Sequence, residues 1–74
     1  MNQNINRLFG KRIAELRTER NFSQEELAFR CNLHRAYIGF IERGEKSPTL
    51  NTIAKLAKGL DVKLNIFFDE ITLY

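Results

Sequence analysis

Residues 23–44, SQEELAFRCNLHRAYIGFIERG, constrain the fold more than any other part of the chain. They read as two short helices separated by a turn too tight to hold anything else. Ser23 with Glu26 three residues on is a capping box, in which hydroxyl and carboxylate each satisfy a free backbone N–H. Leu27 and Ala28 supply a small apolar face. Asn32, in the middle of the break, is one of the few non-glycine residue types that accept a left-handed backbone. Beyond it, Ile38 and Ile41 fall on one side of the second segment, with Arg35, Ala36, Gly39 and Arg43 around the other. Gly44 stops that segment, as glycine does just past a helix end. A helix pinned at a fixed angle to a partner, with a basic outer face, meets the physical requirement for entering the DNA major groove.

The rest of the chain is also helical in pattern. A first helix near Ile5 to Glu19 repeats apolar residues at Ile5, Leu8, Phe9, Ile13 and Leu16, a stripe with helical period. Thr49 is the expected N-cap of a fourth helix that presents Leu50, Ile53, Ala54, Leu56, Ala57 and Leu60. A fifth helix is expected over residues 63–72, where Leu64, Phe67, Phe68 and Ile71 at i, i+3, i+4 and i+7 should seal the core. Ile66 and Leu73 lie on a different face of that segment, and Tyr74 ends it. Apolar groups in excess of one core face point to a homodimer surface formed by Leu64, Ile66, Phe67, Leu73 and Tyr74. No strand pattern occurs. The expected fold is an all-α, compact five-helix bundle forming a single domain over residues 1–74.

Bulk properties agree with one small core. A chain of 74 residues buries only about 60% of its unfolded surface and gains from oligomerisation. Hydrophobic residues at 43% and charged residues at 28% fit a globular domain. No apolar run approaches the roughly 20 residues needed to span a bilayer, and MNQNINRLFGKR lacks the pattern of a secretory signal. The cytoplasm is the expected compartment. Net charge is +3, distributed as +3 over residues 1–22, zero over 23–43, +2 over 44–60 and −2 over 61–74. A basic body with an acidic tail suits a polyanion partner.

The segment from Ser23 resembles the helix-turn-helix of the phage lambda-repressor and Cro-like family. Gln24, Glu26-Leu27-Ala28, Leu33, Ile38, Ile41, Glu42 and Gly44 carry that resemblance, which continues through SPTLNTIAKLAKGL and covers residues 7–70. Within the family the chain is similar to the controller proteins of restriction–modification systems, in NLxRxYI at Asn32 to Ile38, Ile41-Glu42-Arg43, and Phe67-Phe68. Where the family carries glycine after the fourth helix this chain has Asp61, with Gly59 two residues earlier. Asp61 must then take the left-handed cap itself, with Val62 packing back onto the helix.

The resemblance assigns roles to individual side chains. Arg35, in the first turn of the second motif helix, is the expected base reader, since a guanidinium matches guanine O6 and N7 with two parallel hydrogen bonds. Ala36 either touches a thymine methyl or leaves room for the backbone to approach. Tyr37 either contacts the sugar–phosphate edge or covers the side of the core, and the likeness to controller proteins favours contact. Gly39 and Phe40 depart from a polar pair. A glycine there, about 1 kcal/mol less favourable than alanine in a helix, suggests that something bulky comes close, and a phenylalanine could read thymine methyls. Ser23, Gln24, His34, Arg43, Lys46 and Ser47 are expected at the DNA backbone, while Arg17 and Glu42 form an inter-helix ion pair.

No catalytic constellation is present, and Cys31 with His34 supplies too few ligands for zinc, so neither an enzyme nor a metal or cofactor is expected. The resemblance implies a homodimeric transcription regulator of palindromic operators that controls its own gene and times endonuclease expression, recruiting RNA polymerase before repressing. No membrane partner or small-molecule effector is implied. The alternatives are a phage-type repressor or antitoxin, and a protein-interaction module that does not touch DNA.

Overall fold

Four α-helices and one 3-10 turn make up the regular structure of residues 4–69, the part of the chain that the computed structural model describes. Helix α1 spans Ile5–Glu19 and is capped by Asn4, whose side chain accepts from the Arg7 N–H at 3.3 Å. Helix α2 spans Gln24–Cys31, α3 spans Arg35–Glu42, and α4 spans Leu50–Leu60. Ser23 Oγ accepts from the Glu26 N–H at 3.0 Å, and Thr49 Oγ1 from the Thr52 N–H at 3.2 Å. The capping box at Ser23 is only half made. Glu26 turns instead to Arg30, one turn on, at 2.7 Å.

The expected five-helix bundle is therefore corrected to four helices among the described residues, because the segment after Lys63 does not open as a fifth α-helix. Leu64–Phe67 forms a single 3-10 turn with no side-chain cap at Lys63. Two contacts explain this. The Ile66 carbonyl accepts from Arg12 Nε at 3.0 Å, which ties that turn to α1. Phe67 is fully buried, its ring edge-on to Phe9 with centroids 5.3 Å apart. A chain rich in β-branched and aromatic residues with no cap has little propensity to resist that pull. Phe67 thus belongs to the core and is withdrawn from the expected dimer surface. Leu64 and Phe68 stay largely exposed, so the expected sealing stripe contributes one residue of those described. Ile71, Leu73 and Tyr74 lie outside the described residues.

The four helices end in the same way. In each, a residue with left-handed backbone is followed by an N–H that reaches five residues back, which satisfies a carbonyl the helix would leave unpaired. The left-handed residues are Asn21, Asn32, Gly44 and Asp61, with φ of 59°, 56°, 75° and 58°. The reaching bonds are Phe22 to Arg17, Leu33 to Ala28, Glu45 to Phe40 and Val62 to Ala57, at 2.8–3.1 Å. Short polar side chains tolerate this conformation where other residues do not. Sequence reading anticipates three of the four; Asn21 is the one it passes over.

Buried side chains from every element share one core: Phe9, Ile13 and Leu16 of α1, Leu27, Ala28 and Cys31 of α2, Ile38 and Ile41 of α3, Leu56, Ala57 and Leu60 of α4, and Phe67. Leu50, expected in the apolar stripe of α4, is 85% exposed, and Ala54 is exposed too. Two glycines allow helix backbones to touch. A Cβ on Gly10 would collide with the carbonyl oxygens of Ile41 and Glu42, and one on Gly59 with Cys31 Sγ. Gly10 thus sets the closeness of α1 to α3, and Gly59 that of α4 to the end of α2.

Candidate nucleic-acid interface

Helix α3 is amphipathic about an axis fixed by α1 and α2. Ile38 and Ile41 point inward and are fully buried, whereas His34, Arg35 and Ala36 at its start and Arg43 at its end are exposed. Arg35 has no carboxylate within salt-bridge reach among the described residues, which leaves its donors free. His34 stands at the N-cap but makes no side-chain cap bond, as expected of an imidazole, which lacks the short acceptor arm of Ser or Asp. Tyr37 is half-buried against the core and, with Asn32, Leu33 and His34, lines a shallow recess beside the start of the helix.

The inward side of the last turn of α3 is locked by charge. Arg17 meets Glu42 through two parallel contacts, Nε to Oε2 at 2.6 Å and Nη2 to Oε1 at 3.0 Å. Its remaining nitrogen Nη1 donates to the Phe22 carbonyl at 2.8 Å. Gln24 Nε2 also donates to Glu42, at 2.9 Å. The glutamine expected at the DNA backbone is therefore held by one N–H of its amide inside the protein, which leaves its second N–H as the donor for a phosphate.

The outward side of the same end is built differently. Arg43 Nε and Nη2 donate to the Glu45 carboxylate at 2.9 and 3.2 Å. This bond raises the guanidinium pKa above its ordinary value and lowers that of the carboxyl. The Phe40 ring has two cations near it, with the Arg43 guanidinium carbon 5.3 Å and the Lys46 Nζ 5.5 Å from its centroid. Ser47 Oγ donates to Asn6 Oδ1 at 3.1 Å, joining the loop after α3 to the start of α1.

The basic block at the N-terminus is not the free surface that its charge suggested. Arg12 Nε serves the Ile66 carbonyl, Arg17 serves Glu42 and Phe22, and Arg20 donates to the carbonyls of Leu60 and Leu16 at 2.9 and 3.0 Å. Arg7 and Lys11 remain exposed and line a cleft with Arg43 and Glu45. Sequence reading missed these two as companions of Arg43, because only the α1–α3 crossing brings them together. Cys31 and His34 do not converge: the thiol is packed at Gly59 and the imidazole faces solvent.

A family model described as helix-turn-helix matches residues 13–67. The chain is 43% identical over 74 residues to control protein C.BamHI of Bacillus amyloliquefaciens, an alignment covering 99% of this chain and 91% of that protein. The crystal structure of the restriction–modification controller protein C.AhdI from Aeromonas hydrophila matches with TM-score 0.84 and 44% identity, over 85% of this chain and 96% of that one. The controller protein C.Esp1396I, solved as a tetramer in complex with its natural 35 base-pair operator, matches with TM-score 0.82 and 34% identity over 88% and 86% of the two chains. The chain belongs to the helix-turn-helix family of lambda-repressor and Cro type, and within it is similar to the controller proteins of restriction–modification systems.

Proposed function

We propose that this protein is a sequence-specific DNA-binding transcription regulator of the restriction–modification controller type. The observation that carries the reading is the outward face of α3, where Arg35 and Ala36 stand exposed in the first turn of a helix whose other face is fixed by the core. Arg35 reads a guanine with two hydrogen bonds, and Ala36 and Tyr37 flank it. Ser23, the second amide N–H of Gln24, His34, Arg43, Lys46 and Ser47 grip the backbone, contacts that set register without reading sequence. Two copies bind a palindromic operator, their third helices about 34 Å apart in successive major grooves. Leu64 and Ile66 contribute to the surface between the copies.

The likeness to C.BamHI and C.AhdI supports control of the protein's own gene and of a neighbouring endonuclease gene in the cytoplasm. Activation runs through recruited RNA polymerase, and the protein catalyses no reaction itself. Selection of bound sequences from a random duplex pool tests the reading. A palindrome with half-sites one helical turn apart is the expected result, with binding that weakens steeply as salt displaces counterions from phosphates. Recovery of no enriched sequence, and no retardation of any duplex at low salt, refutes it in favour of a protein-interaction module.

A further inference from the structure

Four features meet on the outward side of the C-terminal part of α3: a glycine within the helix, an aromatic ring, a guanidinium, and a lysine brought back over the last turn. Gly39 is the place where sequence reading expects something bulky to approach, and the approaching group is Arg43. A Cβ on Gly39 would stand 3.1 Å from Arg43 Nη1, tighter than ordinary contact. The missing side chain gives the guanidinium room to lie along the helix surface.

Arg43 also meets the Phe40 ring, its guanidinium carbon 5.3 Å from the centroid. Gly44, at φ +75°, turns the chain so that the Glu45 N–H returns to the Phe40 carbonyl at 2.9 Å. That turn delivers Lys46 to the same ring, its Nζ 5.5 Å from the centroid. Both cations are inside the roughly 6 Å range over which an aromatic ring attracts them. Glu45 holds Arg43 from a third direction. Long cationic side chains lose rotamer freedom when they bind, and a cation already resting on a ring has less to lose.

We propose that Phe40 is a positioning residue, its ring holding Arg43 and Lys46 as a paired anchor for the DNA backbone, and that it does not read thymine methyl groups. This rests on the DNA-binding reading above. The two roles leave different signatures: backbone contacts carry no sequence information, whereas a contact to a methyl separates one base pair from another.

The test measures affinity for two duplexes of equal length over a range of salt, one recovered by selection and one of random sequence. Phe40→Leu keeps an apolar tip able to touch a methyl but removes the ring. Both duplexes are expected to bind about two- to fivefold more weakly, by the same factor. In the Arg43→Gln/Lys46→Gln background the same change is expected to have no further effect. A loss confined to the selected duplex, or an undiminished loss in the doubly neutralised background, overturns the proposal.

A second measurement does not depend on the folding of the leucine variant. Arg43→Gln and Lys46→Gln should each lower the salt dependence by about one counterion on both duplexes. An unchanged salt slope in both single variants also overturns the proposal. Failure of the DNA-binding reading itself looks different, since the unaltered protein then retards neither duplex.

Discussion

On the side of α3 that faces into the protein, Glu42 meets Arg17 with side chains 7% and 16% exposed; on the side that faces out, Arg43 meets Glu45 with side chains 56% and 51% exposed. Both pairs use the same bidentate chemistry, and the α3 members, Glu42 and Arg43, are adjacent in the chain. The inner pair has little water to fall back on, and each of its nitrogens is committed, two to Glu42 and one to the Phe22 carbonyl. The outer pair is bathed in solvent and screened by salt. A phosphate can take the place of the Glu45 carboxylate without stranding a charge. The inner bond belongs to the architecture, and the outer one is exchangeable.

The largest test of that contrast removes the inner carboxylate. Glu42→Ala leaves Arg17 partnered only by a carbonyl and also releases Gln24, so unfolding stability should fall by about 3 kcal/mol or more, read from urea denaturation. A loss under about 1 kcal/mol would place the inner pair with ordinary surface ion pairs.

A second test uses another group on the inward side. Burial pushes the Cys31 thiol up from 9.0 to about 11, against a smaller opposing effect of its hydrogen bond with Gly59. The folded state then keeps a proton that the unfolded chain releases, so this contribution is complete below about pH 9 and is lost as pH rises towards 11. The expected loss is about 2–3 kcal/mol across that window, absent from the stability profile of Cys31→Ala. Parallel profiles for the two proteins would show that the thiol is open to solvent in the folded state.

The smallest stability effect is expected on the outward side. Arg35→Ala touches no buried partner and should leave unfolding stability within about 0.5 kcal/mol. Its effect belongs to binding, where preference for the selected duplex over a random one should fall by about 1–3 kcal/mol in discrimination. Retained preference would assign base reading to another side chain.

The same contrast explains what was legible from the residues alone. Inward positions obey periodicity, so Leu27, Ile38 and Ile41 could be placed in the core without coordinates, and Asn32 and Asp61 could be placed at left-handed turns. Those assignments depend on local backbone chemistry. The expected fifth helix failed because its fate is decided at long range, by Arg12 reaching the Ile66 carbonyl and by Phe9 receiving Phe67. The charge of residues 1–22 misled for the same reason. Arg12, Arg17 and Arg20 spend their donors on internal carbonyls and on Glu42, and no composition separates a guanidinium that caps a helix end from one that awaits a phosphate.

Gly10 carries one more consequence. With no room for even a methyl group between α1 and the last carbonyls of α3, the tilt of the exposed helix is inherited from the scaffold and cannot drift independently of it. A lineage of such proteins would then diversify its target sites by exchanging outward side chains such as Arg35 and Ala36, each a near-neutral step for folding. Variation in operator and constancy of shape would be two outcomes of a single backbone contact.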